Sequence, residues 1–362
     1  TDDLIRIAEH LGAPVATTLQ GLAAFPGDHP LHAGMGFGPS AVPAAENAFK
    51  ECDVMLAVGT RFAEICTGSY GAVPPEKLIH IDINPGAIGA NHKTPIGIHA
   101  DSRDAVPVLA ETLIGSTDAR DGSGVMQALA KDKAAYREAW LSHDSKGLVN
   151  PCRFFEELRS QLRNDAIVIS DDGNHTFLTA ELMQITKGGN YLSPTDFNCM
   201  GYCVPATIAT KMALPERQVV GIVGDGAFLM TGLESVTAGT NGIGAVWFVF
   251  NDGELAQIAQ AQEMPYQRTA CTNIGRLNYE AFAAATGTEY VAIKKDADLQ
   301  EGIAKALAAS ANNKAVLVNV HIDYSKKTQF TVGTVQTNLK RFDTRNKLRI
   351  VGRALKRKIF GS

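Results

Sequence analysis

The chain has 362 residues, which is long for one domain of usual size, so two domains are expected. Hydrophobic residues make up 45% and charged residues 20% of the chain, as in a soluble globular protein with substantial cores. No apolar run approaches the ~20 residues of a membrane span, and no secretory signal is present, so we expect a cytoplasmic protein.

The first block of predicted elements covers residues 1–118. Short apolar runs at 53–59 and 77–83 end in glycine or acidic turns, which is typical of buried parallel strands. Helical patterns at 4–11 and 104–113 flank these runs. Residues 119–148 are predicted as a linker, which includes a charged helical segment.

A second block of alternating elements covers residues 149–330. Its predicted strands lie at 166–170, 219–223, 245–250, 289–293 and 315–320, and its predicted helices at 154–162, 205–212, 229–240, 279–286 and 299–309. This alternation predicts an α/β chain of two doubly wound parallel-sheet domains. A basic tail at 331–362 follows the second domain.

The most informative stretch joins two predicted strand ends of the second block. An apolar strand ends in Gly224-Asp225-Gly226, and after twenty-four residues a second strand ends in Asn251-Asp252-Gly253. One right-handed crossover would place both ends side by side, where open α/β sheets bind ligands. Glycines admit a diphosphate close to the backbone, and two carboxylates suit Mg²⁺, which also takes phosphate oxygens.

These motifs resemble those of thiamine-diphosphate-dependent enzymes of the acetolactate synthase, pyruvate oxidase and 2-oxoacid decarboxylase group. That family has Gly-Asp-Gly, some two dozen residues, then Asn-Asn; here Asp252 replaces the second Asn, so metal dependence should be stricter. Met200-Gly-Tyr-Cys-Val-Pro-Ala206 is similar to the family's Met-Gly-x-x-x-Pro-Ala. The resemblance implies thiamine diphosphate and Mg²⁺ as cofactors.

The resemblance also assigns site residues. Met200 would support the bent cofactor, and the carbonyl group of Asn198 would accept a hydrogen bond from the aminopyrimidine ring. The implied cofactor-binding residues are Asp172, Gly173, Asn174, His175, Asn198, Met200, Gly224, Asp225, Gly226, Ala227, Asp252 and Ile258, and the implied metal ligands are Asp225, Asp252 and Glu254. A structural role as a core methionine stays open for Met200, as does that of an ordinary polar histidine for His175.

The first block is similar to the family's central domain, which holds FAD in some members. Gly59, Arg61 and Asp82 occupy matching positions. The family's acidic-arginine pair is replaced by Ala63-Glu64-Ile65, and the glycine-rich stretch at 34–38 lacks the usual histidine. FAD is therefore a possible cofactor, and an empty fold is the alternative.

The family's activating glutamate lies in an N-terminal pyrimidine-binding domain for which this chain has no counterpart. We therefore expect a fragment, one half of a split enzyme, or a chain that has lost catalysis. The leading hypothesis is a decarboxylase or carboligase of a 2-oxoacid. Gln257 and Ala261 replace the Met and Trp of acetolactate synthases, which predicts a wider pocket. A flavin-containing oxidase and a non-catalytic cofactor-binding subunit remain alternatives.

The C-terminal tail carries the basic character of the chain. Residues 339–362 contain nine lysines and arginines against one acid, in a chain whose net charge is −4. Residues 346–360 show apolar positions at helical spacing, which predicts a basic amphipathic helix. Peripheral membrane contact, packing against a subunit of a homodimer or homotetramer, and a solvated tail are all open. Nothing else favours nucleic-acid binding.

Overall fold

The computed structural model describes residues 1–345, 349 and 352, apart from the side chains of residues 264 and 265. Its contacts divide the chain into two units. Unit 1 comprises Thr1–Glu138, Gln184–Gly189 and Gln329–Asn338, and unit 2 comprises Ala139–Met183, Asn190–Thr328 and the described residues from Leu339 onward. The predicted amphipathic helix at 346–360 lies outside the described residues except at 349 and 352.

Unit 1 contains two short parallel sheets rather than the single sheet that was expected. Its elements in the first segment are α1 (Asp2–Leu11), β1 (Val15–Thr17), β2 (His32–Met35), α2 (Pro43–Lys50), β3 (Val54–Val58), β4 (Lys77–Asp82), β5 (Ile96–His99), α3 (Ser102–Ser116) and α4 (Ser123–Leu141), whose residues from Ala139 onward belong to unit 2. Strands β1 and β2 pair with each other, and β3, β4 and β5 form the second sheet in that order. Strands β3 and β4 lie within the apolar runs at 53–59 and 77–83 that were predicted as parallel strands.

Helices α1 and α3 pack on the three-stranded sheet of unit 1 because each has an apolar face. In α1, Leu4, Ile7 and Leu11 recur at helical spacing and pack against Val106 and Ala110 of α3. The aspartate that precedes α3 caps it, since Asp101 Oδ1 accepts a hydrogen bond from the Arg103 amide at 2.8 Å. Sequence periodicity therefore identified both helices, although each is a few residues longer than predicted.

Residues 329–338, most of which had been placed in the tail, pack within unit 1. They belong to helix α13 (Gln329–Arg341), the last complete helix of the described chain. A Cβ on Gly333 would lie 2.0 Å from the Pro39 carbonyl oxygen, so glycine allows the helix to approach that loop closely. Asn338 Nδ2 donates to Ser69 Oγ at 3.3 Å. The start of the predicted tail is thus an ordered part of a unit.

Unit 2 is built on a six-stranded parallel sheet. Its elements are α5 (Pro151–Gln161), β6 (Ile167–Ser170), α6 (Asn174–Leu182), β7 (Tyr191–Leu192), α7 (Cys203–Ala213), β8 (Val219–Gly224), α8 (Asp225–Thr231), α9 (Ser235–Asn241), β9 (Val246–Phe250), α10 (Ala256–Tyr266), α11 (Tyr279–Thr286), β10 (Glu289–Ile293), α12 (Leu299–Ala311) and β11 (Val316–Val320). The strand order is β10-β11-β9-β8-β6-β7, and every pair is parallel. The α/β fold with parallel sheets is confirmed.

Strand β9 lies in the middle of this sheet and is buried along its whole length. Phe248 and Phe250 pack edge-on against Phe154 of α5, with ring centroids 5.3 and 4.9 Å apart. Edge-to-face aromatic contacts of this kind add about 0.5–1.5 kcal/mol each beyond the area they bury. The packing fixes the C-terminal end of β9, which carries one of the predicted site motifs.

One predicted helix of unit 2, at 229–240, is broken. The structure has α8, a single 3₁₀ turn at Gly232–Glu234, and then α9. A Cβ at Gly232 would meet the Phe228 ring at 2.7 Å, so the glycine lets that ring pack beneath the turn. Within the described part of the chain, no helix has the length and apolar character needed to cross a membrane.

Candidate functional site

A cavity of about 120 Å³ lies in unit 2 beside the segments that follow β6, β8 and β9. Most of the predicted cofactor residues line it, namely Asp172, Gly173, Asn174, His175, Met200, Gly224, Asp225, Gly226, Ala227, Asp252 and Ile258. Glu254 lines it as well, whereas Asn198 does not. The crossover between β8 and β9 therefore brings both sequence motifs to one cavity, as expected of an open parallel sheet.

Asp225 ties the ends of β8 and β9 together. Its Oδ2 atom accepts hydrogen bonds from the amides of Asp252 at 3.1 Å and Gly253 at 2.7 Å, and its Oδ1 atom accepts from the Gly226 amide at 2.8 Å. The residue is only 3% exposed. Burial raises the pKa of Asp225, and the three amide donors oppose that shift. The carboxylate is thus a structural clamp as well as a candidate metal ligand.

Asp252 has far fewer partners than Asp225. One amide donor, that of Glu254, lies 3.4 Å from Asp252 Oδ1. Asp252 is exposed at the cavity wall, yet poor solvation there and the charge of Asp225 raise its pKa to about 7. A bound cation stabilises a carboxylate most when another carboxylate lies close to it and few hydrogen-bond donors contact it.

Glu254 is hydrogen-bonded to a neighbouring loop. Thr272 Oγ1 donates to Glu254 Oε1 at 2.5 Å, and the Leu255 amide donates to the Thr272 carbonyl at 2.8 Å. Within the described residues, no group of three or more His, Cys, Asp or Glu side chains is arranged to hold a metal ion. A cation at Asp225 and Asp252 would therefore need further oxygen ligands, which a diphosphate supplies.

The loop that carries Met200 is fixed by Asp171, a residue that the sequence did not single out. Asp171 is fully buried, and its carboxylate accepts from the amides of Gly201 at 2.8 Å and Cys203 at 2.7 Å. Asn198, two residues before Met200, adopts a left-handed φ of 56°, which suits the family's glycine and is tolerated by asparagine. Met200 lines the cavity, and Asn198 does not.

The start of α6 presents polar groups without partners. Asn174 is 5% exposed, and among the described residues neither its Oδ1 nor its Nδ2 atom has a hydrogen-bond partner. His175 Nε2 is also without one, and burial lowers the pKa of this histidine to about 3, so the ring is neutral. Buried polar atoms without partners are costly, so their presence in a cavity wall indicates a polar ligand.

Two glycines make room for the His175 ring. A Cβ on Gly173 would lie 2.7 Å from His175 Cε1, and one on Gly224 would lie 2.9 Å from Nδ1. Gly173 also has a φ of 152°, which favours glycine. The predicted reason for Gly224 was the approach of a diphosphate; the structure adds the packing of a buried histidine.

Tyr324 completes the cavity from the segment after β11, and the sequence analysis missed it. Burial and the nearby charges of Asp252 and Asp225 raise its pKa. Its carbonyl accepts from Gln260 Nε2 of α10 at 3.0 Å, which ties the cavity wall to that helix. Because β11 neighbours β9 in the sheet, the residues just after its end reach the same edge as Asp252.

The start of α10 also contributes to the cavity wall. Leu255, Ala256, Gln257 and Ile258 line the cavity there. Among the described residues that line it, none is a lysine or an arginine. An anion would therefore be held by neutral donors, the helix N-terminus and a bound cation, which is the donor set that a magnesium diphosphate needs.

Two family models match the sequence. "Thiamine pyrophosphate enzyme, C-terminal TPP binding domain" matches residues 171–320, which contain most of the cavity, and "Thiamine pyrophosphate enzyme, central domain" matches residues 1–109. The chain belongs to the thiamine pyrophosphate enzyme family. The resemblance inferred from the motifs is thereby confirmed, and thiamine diphosphate is the cofactor of the matched domain.

Among its curated relatives in this family are enzymes with different names. The chain is 31% identical over 333 residues to the probable acetolactate synthase large subunit of Methanocaldococcus jannaschii, covering 89% of the chain and 55% of the relative. It is 31% identical to the acetolactate synthase large subunit of Corynebacterium glutamicum, covering 88% and 51% respectively. It is 30% identical to the sulfoacetaldehyde acetyltransferase of Rhodobacter capsulatus, covering 89% and 58%. The chain spans about half the length of these relatives.

The predicted FAD residues lie in unit 1. Gly59 follows β3 with a left-handed φ of 63°, and Asp82 ends β4, where its Oδ1 accepts from the Asn84 amide at 2.8 Å. Both strand ends are at one edge of the three-stranded sheet. Neither this geometry nor the comparisons give FAD any support, so FAD remains a prediction.

Proposed function

We propose that this chain binds thiamine diphosphate through Mg²⁺ in the cavity of unit 2, and serves the decarboxylation or carboligation of a 2-oxoacid. The observation that carries the proposal is the meeting of Asp225 and Asp252 at adjacent strand ends, beside unpartnered polar atoms on α6. Thiamine diphosphate supplies a carbanion nucleophile and then an electron sink for decarboxylated 2-oxoacids.

Each side of the cavity has a role in holding the cofactor. Asp252 would bind the cation with an oxygen that has almost no competing donor, while Asp225 keeps both strand ends in place and offers its remaining lone pairs. Asn174 and the N-terminus of α6 would donate to the diphosphate. Met200, held through Asp171, would support the bent cofactor.

The substrate is constrained less tightly than the cofactor. Gln257 and Ile258 line the cavity from α10, on the wall where the family's substrate contacts are expected. The relatives include acetolactate synthases and an acetyltransferase, so the acceptor of the carbanion can differ within this family. We propose a 2-oxoacid donor and leave its acceptor open. A homodimer or homotetramer, a cytoplasmic location and contact of the basic tail with a membrane belong to the same proposal.

Calorimetric titration of thiamine diphosphate into the purified chain tests the cofactor proposal. Binding should need Mg²⁺ and disappear with a chelator. Asp252→Ala should weaken binding by at least tenfold, whereas Asp252→Asn keeps an oxygen ligand and should weaken it less. The exposed Asp118, in unit 1, provides a control in which Asp118→Asn changes nothing. Binding by Asp252→Ala as tight as that of the unaltered chain would contradict the proposal.

A further inference from the structure

Asp172 is an acid in the cavity wall that the resemblance assigns to cofactor binding, and its carboxyl group would meet an anionic ligand. It follows β6 and lines the cavity next to Asn174 and His175. Within the described residues, no donor lies in hydrogen-bonding distance of its carboxyl group, although its own amide donates to Asp171 Oδ1 at 2.8 Å. The neighbouring Asp171, in contrast, has both oxygens engaged by amides.

None of the described residues that line the cavity beside Asp172 provides a positive charge. His175 is neutral, and the other ionisable groups that line the cavity are Asp225, Asp252, Glu254 and Tyr324. Asp171 adds a further buried acid at the base of the same segment. Apart from the cation of the proposed site, an ionised Asp172 would therefore face a bound diphosphate as a like charge, on the wall where Asn174 offers its amide.

We propose that Asp172 holds a proton when a diphosphate is bound and donates it in a hydrogen bond to a phosphate oxygen. The inference rests on the proposed function, because it takes thiamine diphosphate as the ligand. The proton comes from solvent and stays on Asp172, and no covalent bond changes. Asp172 thereby becomes a neutral donor that complements the amide of Asn174.

The electrostatics agree with this geometry. Burial, followed by the charge of Asp171, raises the pKa of Asp172 to about 6, so at pH 7 the carboxyl is about nine-tenths ionised before the ligand arrives. A phosphate oxyanion beside it raises that pKa further. Binding at pH 7 should therefore take up at most about 0.9 proton at this residue.

Calorimetry in several buffers measures this proton directly. Thiamine diphosphate with Mg²⁺ is titrated into the chain at pH 7 in buffers that differ in ionisation enthalpy, and the slope of the heat against that enthalpy gives the protons taken up. Asp252 and the ligand also exchange protons, so the informative quantity is the difference between the unaltered chain and Asp172→Asn. Asparagine has the same shape, donates through its amide and cannot titrate.

We expect the unaltered chain to take up more protons per cofactor than Asp172→Asn, by up to about 0.9, with similar affinities at pH 6. Asp172→Ala should bind about five- to tenfold more weakly than Asp172→Asn, because it lacks the donor. Asp118→Asn, the exposed control, should show the full proton uptake. A residue with a merely structural role would not change the proton count.

Equal proton uptake by the unaltered chain and Asp172→Asn would overturn the inference, even with tight binding in both. So would Asp172→Ala binding as tightly as Asp172→Asn. Absence of binding to the unaltered chain in the presence of Mg²⁺ would instead overturn the proposed function, and this inference with it.

Discussion

Removing the Asp225 carboxylate should destabilise unit 2 even when no cofactor is present. In Asp225→Ala, the amides of Gly226, Asp252 and Gly253 lose the acceptor that joins the ends of β8 and β9. A hydrogen bond to a charged group contributes about 1.5–3 kcal/mol, and a buried amide without a partner costs about 1–3 kcal/mol. Because Asp252 is exposed and its amide can be rehydrated, we expect a loss of about 3 kcal/mol in the free energy of unfolding.

Urea unfolding followed by tryptophan fluorescence measures this loss selectively. Both tryptophans of the chain, Trp140 and Trp247, are buried in unit 2, so their emission reports on that unit. With an m-value of about 3 kcal/mol per molar urea, the midpoint should fall by about 1 M.

Asp252→Ala is the matched control for this experiment. Asp252 accepts one long hydrogen bond, and its carboxylate is crowded by that of Asp225. Its replacement should leave the urea midpoint unchanged or raise it slightly, while both variants lose cofactor affinity. Equal midpoints for Asp225→Ala and the unaltered chain would refute the clamp, as would an equal fall in Asp252→Ala.

Three further predictions concern other parts of the chain. Gly224→Ala places a methyl group against the His175 ring, so it should lower the free energy of unfolding by about 1–3 kcal/mol and weaken cofactor binding. Gly115→Ala, whose Cβ would meet nothing within 4 Å, should be tolerated. A urea midpoint of Gly224→Ala equal to that of the unaltered chain would contradict this prediction. Burial and the charge of Lys133 lower the pKa of His32 to about 4, so the unfolded chain binds one more proton than the folded chain as pH falls below 6.5. From pH 7 to pH 5, the free energy of unfolding of the unaltered chain, followed by circular dichroism, should fall by about 2 kcal/mol relative to that of His32→Gln. Parallel stability profiles of the two proteins would contradict this prediction. If the basic tail contacts membranes, the full chain should float with anionic vesicles and a chain ending at residue 338 should not. Identical flotation of the two chains would contradict membrane contact by the tail.

The elements that carry the site were predictable because their signals are local. Strands β8 and β9 are short apolar runs that end in Gly-Asp-Gly and Asn-Asp-Gly, and the intervening length suits one crossover. Parallel pairing then brings Asp225 and Asp252 together without further information. The glycine at 224 could be placed in the cavity for the same reason.

What the sequence did not reveal depends on contacts between distant segments. Asp171 looks like any acid after a strand, and its role follows only from the amides of Gly201 and Cys203, about thirty residues later. Tyr324 reaches the cavity because β11 inserts between β10 and β9, an order that chain sequence alone does not give. The break in the predicted helix at 229–240 reflects packing of Phe228 under Gly232, which overrides helical periodicity.

Counting bound metal tests the central claim most directly. With Mn²⁺ in place of Mg²⁺, the free ion can be measured by its electron paramagnetic resonance signal in the presence and absence of thiamine diphosphate. Because the described residues offer no group of three metal-binding side chains, we predict about one bound Mn²⁺ per chain only when the diphosphate is present, and none in Asp252→Ala under the same conditions. One Mn²⁺ bound without the diphosphate, or retained in Asp252→Ala, would contradict the account.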